Sequence, residues 1–143
     1  MGNYEPWRHD DILHAWWVEP GWLLAGEYPG ARTPEKTAQK VRLLVDAGID
    51  SIVDLTTPAD GLASYLKARQ VAAENAERQV HHFPHPIPDV GVIDHDGYDK
   101  ILSRIRNEID AGKVVHVASR PELRARCIGY YPVLHGDHVA ARA

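Results

Sequence analysis

The sequence predicts an α/β fold with a central, mainly parallel sheet flanked by helices. Short apolar runs typical of strands alternate with stretches that carry helix start and stop signals, which is the order expected of parallel βαβ units. The 143 residues, 44% hydrophobic and 25% charged, suffice for one domain with a continuous core. Residues 1–15 are mixed in charge and lack a hydrophobic period, so we expect a poorly ordered N-terminal arm followed by a single domain over residues 16–143.

The first elements of the domain are predicted to be a hairpin and a helix. Two aromatic and aliphatic runs, 16–18 and 22–25, are separated by Pro20-Gly21, a dipeptide typical of turns. Thr33, followed by a proline and a glutamate, then supplies a helix N-cap. Gly48 stands where a C′ glycine would end that helix.

Two further strands and a helix are predicted in the middle of the chain. Residues 49–55 have the apolar character of a buried strand, and residues 61–78 are rich in helix formers. Residues 80–83 form another short strand. The three prolines within residues 84–91 then exclude regular structure, so we expect a loop there.

The last predicted elements are a helix, a strand and a loop. Apolar residues recur at helical spacing after an acidic start at Asp94 or Asp96, and Gly112 ends the helix. Residues 113–117 are predicted to form a strand, and residues 118–123 a loop before a partly apolar stretch. Because ligands of such sheets bind beyond the carboxyl ends of the strands, we expect function in the loops at 56–60, 84–93 and 118–123.

Composition excludes several classes of function. Sixteen Lys and Arg against twenty Asp and Glu give a net charge of −4, which disfavours binding to nucleic acid or to an anionic membrane. There is no basic and apolar leader and no apolar run of about 20 residues, so we expect a cytoplasmic protein. Cys127, the single cysteine, excludes an internal disulfide and a multi-cysteine metal site.

A cluster of imidazoles and carboxylates offers an alternative function, metal binding. Seven such residues fall between positions 81 and 96: His81, His82, His85, Asp89, Asp94, His95 and Asp96. Adjacent histidines on a strand point to opposite faces, and prolines separate the rest, so the spacing does not imply convergence. We therefore predict no metal and no cofactor, and keep a His/Asp metal-binding protein as an alternative.

Several segments resemble a known family in the order that a homologue would show. They are Trp17-Val18, Leu23-Leu24-Ala25-Gly26-Glu27-Tyr28-Pro29-Gly30, Val53-Asp54-Leu55-Thr56, Pro86-Ile87-Pro88-Asp89-Val90-Gly91-Val92, Val114-Val115-His116, Ile128-Gly129-Tyr130-Tyr131 and Leu134-His135-Gly136. Over residues 16–136 the sequence resembles a bacterial protein-tyrosine/dual-specificity phosphatase domain. The resemblance implies that the C-terminal helices of the family are truncated, since the sequence ends at Ala143. Surface left uncovered in this way favours a homo-oligomer.

The resemblance implies a three-part chemistry. A cysteine thiolate in a His-Cys-x5-Arg loop attacks phosphorus, and loop N–H groups with the arginine hold the phosphate oxygens. An aspartic acid on a separate loop protonates the leaving oxygen. Asp89, on the proline-rich loop, matches this general acid.

The loop that should carry the nucleophile departs from the family pattern. A gapless register through His116 places Val117 at the cysteine position and Leu123 at the arginine position. A valine cannot attack phosphorus, and a leucine cannot hold an oxyanion. The phosphate-binding residues implied by the register are His116, Ser119, Arg120 and Arg124, together with the altered positions Val117 and Leu123. Cys127, ten residues beyond the nucleophile position, fits a small buried thiol.

These departures predict a phosphatase-like domain that recognises phosphomonoesters but is catalytically impaired, a pseudophosphatase. Its partners would be a phosphorylated protein or a small phosphoester. The alternative within the same family is an active phosphatase, acting on phosphotyrosine or another phosphomonoester through a rearranged loop. Loss of the nucleophile and of the arginine, each of which commonly contributes several powers of ten, disfavours that alternative.

Overall fold

The computed structural model describes residues 6–57, 62–87 and 95–119, which form five strands and three helices. The strands are β1 (Ala15–Glu19), β2 (Leu23–Glu27), β3 (Ser51–Asp54), β4 (His81–Pro84) and β5 (Val115–Ser119). The helices are α1 (Pro34–Asp46), α2 (Leu66–Asn75) and α3 (His95–Asp110). The described elements therefore alternate between strand and helix from β2 onwards, as the sequence predicts.

The strands form one sheet in the order β1-β2-β5-β3-β4. β1 pairs with β2 in antiparallel fashion, whereas the β2–β5, β5–β3 and β3–β4 pairs are parallel. The prediction of a mainly parallel sheet flanked by helices is thus confirmed. β5 lies at the centre of the sheet, with β2 on one side and β3 on the other.

The predicted hairpin is present at β1 and β2. Gly21 in the turn has φ of 80°, a left-handed conformation that glycine adopts without strain. The Trp22 N–H donates to the Glu19 carbonyl at 2.9 Å and closes the turn. The strands therefore start and end close to the positions set by the Pro-Gly dipeptide.

The caps predicted for the first helix are also confirmed. The Thr33 hydroxyl accepts from the Lys36 N–H at 3.2 Å, and proline occupies the first helical position. At the other end Gly48 has φ of 94°, and its N–H donates to the Val45 carbonyl. The Ile49 N–H donates to the Leu44 carbonyl at 3.1 Å, which completes a Schellman motif.

The other helices differ from prediction mainly in length. α2 occupies only residues 66–75 of the predicted 61–78, because Glu77 takes φ of 55° and the Arg78 N–H turns back to the Ala73 carbonyl. α3 ends before Gly112, whose φ of 84° fits the predicted stop. In the described ranges no helix is long and apolar enough to cross a membrane.

The sheet separates two hydrophobic cores. On one face, called here the α1–α2 face, the helices pack over Leu24, Ile52 and Ala118. On the other, the α3 face, the helix packs over Leu23, Val53, Val115 and Val117. Successive residues of β5 therefore serve opposite cores, as the alternation of side chains along a strand requires.

Part of the segment assigned to the N-terminal arm packs on the domain. Leu13 is fully buried in the core of the α1–α2 face. The Trp7 indole donates to the Leu13 carbonyl at 2.8 Å, and the Ala15 N–H donates to Asp10. Residues just before the first strand thus contribute to the core, although their sequence has no hydrophobic period.

Candidate functional site

The carboxyl ends of β2, β5, β3 and β4 lie along one edge of the sheet, because these strands are parallel. Along this edge Glu27 is paired with Ser119, and Asp54 with Ala118. Ligands of open α/β sheets bind beyond such an edge. It is therefore the candidate site.

The central strand extends further towards this edge than the sequence predicts. The prediction ends the strand at Val117 and begins a loop at Ala118, but β5 continues through Ser119. The extension has a physical cause: Ala118 and Ser119 still have strand partners on β2, and the Ala118 carbonyl accepts from the Leu55 N–H at 2.9 Å. The position matched to the nucleophile therefore lies inside the sheet.

Val117 is a core residue. It is 1% exposed and packs on the α3 face with Leu23 and Val53. Its strand neighbours are Ala25 on β2 and Val53 on β3. The side chain at this position contributes apolar burial and carries no group able to attack phosphorus.

His116 is fully buried on the opposite side of the strand. Its Nε2 atom lies 3.3 Å from the Glu27 carbonyl oxygen, so the ring ties β5 to the end of β2. Its strand neighbours are Leu24 and Ile52, both core residues of the α1–α2 face. This placement indicates that His116 stabilises the sheet where β5 and β2 approach the candidate site.

Ser119 is the last residue of β5 and is fully buried. Its hydroxyl has no hydrogen-bond partner in the described part of the chain. Since side chains two residues apart on a strand share a face, it follows Val117 on the α3 face. A buried hydroxyl without a partner costs free energy, which singles out this position at the strand end.

The end of β3, next to the end of β5, holds a buried polar cluster around Asp54. Tyr65 donates its hydroxyl to Asp54 Oδ2 at 2.8 Å. Thr56 donates both its hydroxyl, at 2.6 Å, and its N–H, at 3.0 Å, to Oδ1. His82 Nε2 on β4 lies 3.1 Å from Oδ2. Both carboxylate oxygens thus have partners, which come from three different parts of the chain.

The electrostatics of this cluster favour an ionised carboxylate. Burial raises the pKa of Asp54, but hydrogen bonds from His82, Thr56 and Tyr65 outweigh it and hold the pKa below its ordinary value. Burial, with the nearby Asp54 charge, raises the pKa of Tyr28 to about 12. The same two causes raise the pKa of Tyr65 further. Both phenols therefore stay protonated, and Tyr65 stays a donor.

Aromatic contacts hold the cluster in place. The Tyr65 ring meets Tyr28 edge-on with centroids 4.9 Å apart, and meets His82 edge-on at 5.7 Å. The Tyr28 hydroxyl donates to the Ala63 carbonyl at 2.7 Å. A β-carbon at Gly30 would collide with that carbonyl and with the Tyr28 ring, so only glycine fits there.

Two backbone hydrogen bonds tie the start of the proline-rich loop to β3. The His85 N–H donates to the Asp54 carbonyl at 2.8 Å, and the Ile87 N–H donates to the Leu55 carbonyl at 2.9 Å. Burial and the positive charge of Arg104 lower the pKa of His85. The Arg104 guanidinium also lies 4.2 Å from the centroid of the Phe83 ring. The loop therefore leaves the sheet beside the Asp54 cluster.

Several predicted site residues lie outside the described residues, so their placement stays a prediction. They are Asp89, Arg120, Leu123 and Arg124, together with Cys127. Of the predicted site residues, the structure describes His116, Val117 and Ser119, on one strand. Within the described ranges no three histidine, cysteine or acidic residues are placed to hold a metal ion. In particular, His82 is turned towards Asp54.

The sequence did not point to Asp54 or Tyr65 as site residues, and it offered His82 only as a candidate metal ligand. One signal was available: an aspartate two residues before a threonine can accept that residue's N–H in an Asx turn. Tyr65 and His82 had no comparable signal, since 11 and 28 residues separate them from Asp54. Only the tertiary fold, with β3 paired to β4, brings them together.

Comparison with known proteins supports the same architecture. No family model and no curated protein matches the chain. Among solved structures, a mutant form of Tk-PTP has 20% sequence identity and a TM-score of 0.51, over 73% of this chain and 59% of that one. A kinase associated phosphatase whose catalytic-site cysteine is replaced by serine has 17% identity and a TM-score of 0.51, over 68% of this chain and 55% of that one.

The described domain thus has the fold of the protein-tyrosine and dual-specificity phosphatases. This chain spans between half and two thirds of the length of the two solved structures. At these identities the likeness defines the class of fold.

Proposed function

We propose that this protein is a phosphatase-like domain that binds phosphomonoesters beyond the carboxyl end of β5 and hydrolyses them poorly or not at all. The substrate or ligand would be a phosphorylated protein or a small phosphoester. The observation that carries the proposal is Val117, an aliphatic core side chain at the position matched to the nucleophile.

The surroundings of Val117 support impaired catalysis. The side chain is packed on the α3 face, two residues before the strand ends. A thiolate nucleophile needs a site that stabilises its charge, such as a helix N-terminus or a nearby cation. Among the described residues, the neighbours of Val117 are apolar and supply neither. The hydroxyl of Ser119 is a weak nucleophile without an activating base, and no base is within hydrogen-bond reach of it in the described chain.

Binding of an anion at the edge is supported by the partners that its carboxylates already have. Lys40 Nζ lies 3.0 Å from Glu27 Oε1, and His82 lies against Asp54. Engaged in this way, these carboxylates repel an incoming phosphate less than free ones would. Arg120 and Arg124, which follow β5 in the sequence, are proposed to hold the phosphate oxygens.

Asp89 is proposed as the retained acid of the family. It follows Ile87 by two positions, and the Ile87 N–H is hydrogen-bonded to the end of β3 at 2.9 Å. A loop tied to this edge suits an acid that acts on a bound ester. Without a nucleophile no covalent phosphoenzyme forms, so no leaving oxygen is released for the acid to protonate.

Hydrolysis of an aryl phosphate at pH 6 tests the catalytic half of the proposal. We expect the chain and its Asp89→Asn variant to give the same rate, no higher than a buffer blank. Turnover well above the blank that falls in Asp89→Asn would overturn the proposed impairment. The double variant Val117→Cys with Leu123→Arg tests the register: a gain of activity supports it, and no gain means that the register is wrong or that the loop no longer forms a phosphate cradle.

Calorimetric titration with phosphotyrosine, and with tyrosine as the ligand control, tests the binding half. We expect phosphotyrosine alone to bind, and Arg120→Gln with Arg124→Gln to weaken it about tenfold or more. The matched control is Arg106→Gln with Lys113→Gln, which removes two charges from the C-terminal half of α3 and from the residues just before β5, towards the opposite edge of the sheet. Equal loss in both double variants would show that the arginines act only through the net charge.

A further inference from the structure

A concave feature lies between α1 and α2, and at one end it reaches the loops that follow β2 and β3 through Arg32 and Ala63. This helix groove has a volume of about 660 Å³. It is lined along α1 from Pro34 to Asp46 and along α2 to Ala76, just past its end. It therefore runs the length of α2, whose ten residues span about 15 Å.

Small apolar side chains line much of the helix groove. Ala38 on α1 and Ala68, Val71 and Ala72 on α2 line it, and Val71 and Ala72 lie three and four residues after Ala68, on the same face of the helix. Val71 is 46% exposed, a large fraction for an aliphatic side chain in a helix. Small side chains allow a third helix to approach closely, since the distance between packed helices depends on the residues at the contact.

The charge of the helix groove is opposite to that of the whole chain. Among the described residues that line it are three cations, Arg32, Arg42 and Lys67, and one carboxylate, Asp46. None of the three cations forms a side-chain hydrogen bond or ion pair in the described part of the molecule. By contrast, Lys40 and Arg78 are paired with carboxylates. The helix groove thus combines an apolar lining with positive charges that have no ion-pair partner among the described residues. The whole chain, by contrast, has a net charge of −4.

We propose that the helix groove binds an acidic amphipathic helix from a partner protein. An apolar stripe on that helix would cover Ala38, Ala68 and Val71, and its flanking carboxylates would meet Arg42 and Lys67. This is the helix-in-groove mode of recognition, with contacts at intervals of three and four residues. It is independent of the phosphate site proposed above.

Charge argues against two other occupants. Residues 120–143 of the same chain carry four arginines and two carboxylates, so this segment is basic like the groove. A second copy packed groove to groove about a twofold axis would bring Arg42 and Lys67 against the same cations of its partner. Like charges placed opposite each other at an interface are unfavourable.

Fluorescence anisotropy with two labelled peptides of about 18 residues tests the proposal on the full chain. Both peptides carry leucines at helical spacing, and the flanking positions are glutamate in one and lysine in the other. We expect the glutamate peptide to bind about tenfold or more tightly than the lysine peptide in about 50 mM NaCl, and this difference to shrink in about 300 mM NaCl. Equal affinity of the two peptides, or no binding of either at about 100 µM protein, would overturn the proposal.

Matched variants locate the binding. Arg42→Glu with Lys67→Glu should weaken the glutamate peptide about tenfold, whereas Lys36→Glu with Lys100→Glu makes the same change in net charge elsewhere and should alter it less than about twofold. All four residues are exposed, so the fold should tolerate the changes. Ala38→Trp, also at an exposed position, should block binding by filling the groove. An equal effect of the two charge-reversed variants contradicts the proposal.

Two further measurements test whether the helix groove has another occupant. Self-association in analytical ultracentrifugation that Ala38→Trp abolishes would replace the partner helix with a second copy. Binding to phosphatidylserine vesicles that Arg42→Glu with Lys67→Glu abolishes, without binding of the glutamate peptide, would replace it with a membrane surface. Either result would overturn the proposal.

Discussion

The ends of β3 and β5 are neighbours in the sheet but differ in whether their buried polar side chains have hydrogen-bond partners. Asp54 and Ala118 are paired across the sheet, yet the end of β3 carries an ionised carboxylate with hydrogen-bond partners on both oxygens. The end of β5 carries the apolar Val117 and then Ser119, whose hydroxyl has no partner in the described chain. One end is a complete polar network, and the other leaves a polar group unsatisfied.

This difference indicates where stability and where binding should reside. A buried network in which every member is paired makes a structure rigid and is costly to break. An unpaired buried hydroxyl adds no such stability and is available to a ligand or to a neighbouring segment. We therefore expect substitutions of the Asp54 network at the end of β3 to affect folding strongly, and removal of the Ser119 hydroxyl at the end of β5 to affect it weakly.

The largest effect is expected at Asp54. Asp54→Ala removes the acceptor of Tyr65, Thr56 and His82 at once and leaves buried donors without a partner. We expect the free energy of unfolding to fall by about 3 kcal/mol, measured by urea denaturation at neutral pH. Tyr65→Phe, which removes one donor and retains the ring, should cost about 1 kcal/mol. A loss at Asp54 no larger than that at Tyr65 would contradict the network.

An intermediate effect is expected at the start of β3. The Ser51 hydroxyl donates to Glu108 Oε1 of α3 at 2.6 Å, and Ser51 is fully buried. Ser51→Ala should lower the free energy of unfolding by about 1 kcal/mol, because Glu108 loses a donor. Thr33→Ala, at the N-cap of α1, is a control of similar size, about 1 kcal/mol, at an exposed site. Additivity of the two in the double variant would show that the sites are independent.

The pH dependence of stability should have two parts. Asp54 has a lowered pKa in the folded state, so its contribution is present above the ordinary carboxyl pKa of about 4 and is lost as pH falls through the folded pKa. His85 also has a lowered pKa, so folding favours its neutral form and stability declines as pH falls below about 6.5.

Urea midpoints measured from about pH 8 to about pH 3 would separate these parts. His85→Gln should flatten the decline between about pH 7 and pH 5, and Asp54→Asn should flatten the decline below about pH 4. The histidine effect should be the smaller, since His85 is partly exposed to solvent. A profile of His85→Gln that parallels the parent across the histidine range would argue against burial beside Arg104 as the cause.

The smallest effect is expected at Ser119. Ser119→Ala removes a buried hydroxyl that has no partner in the described residues, so the free energy of unfolding should stay the same or rise by up to about 1 kcal/mol. Ser51→Ala is the matched comparison, because it makes the same chemical change in a strand where the hydroxyl is paired. A large loss of stability in Ser119→Ala would mean that the hydroxyl is paired in the whole chain.

Local signals in the sequence predicted the ends of the first helix and the hairpin but misplaced the ends of α2 and the end of β5. Thr33 and Gly48 act within one turn of the helix that they end, so a short segment contains the necessary information. The prediction ended the strand at Val117 and began a loop at the next residue. In the structure two more residues are strand, because β2 pairs with both of them and β3 pairs with the first. Strand length depends on neighbours that local pattern does not reveal.

The sequence by itself determined the α/β class and the caps of the first helix, because each depends on residue type and short-range spacing. Tertiary structure decided that Val117 is a core residue, that Asp54 collects partners from Tyr65 and His82, and that α1 and α2 enclose a basic groove. These features join residues distant in the sequence, and they form only when parallel strands bring separate segments to one edge and packed helices bring them to one face.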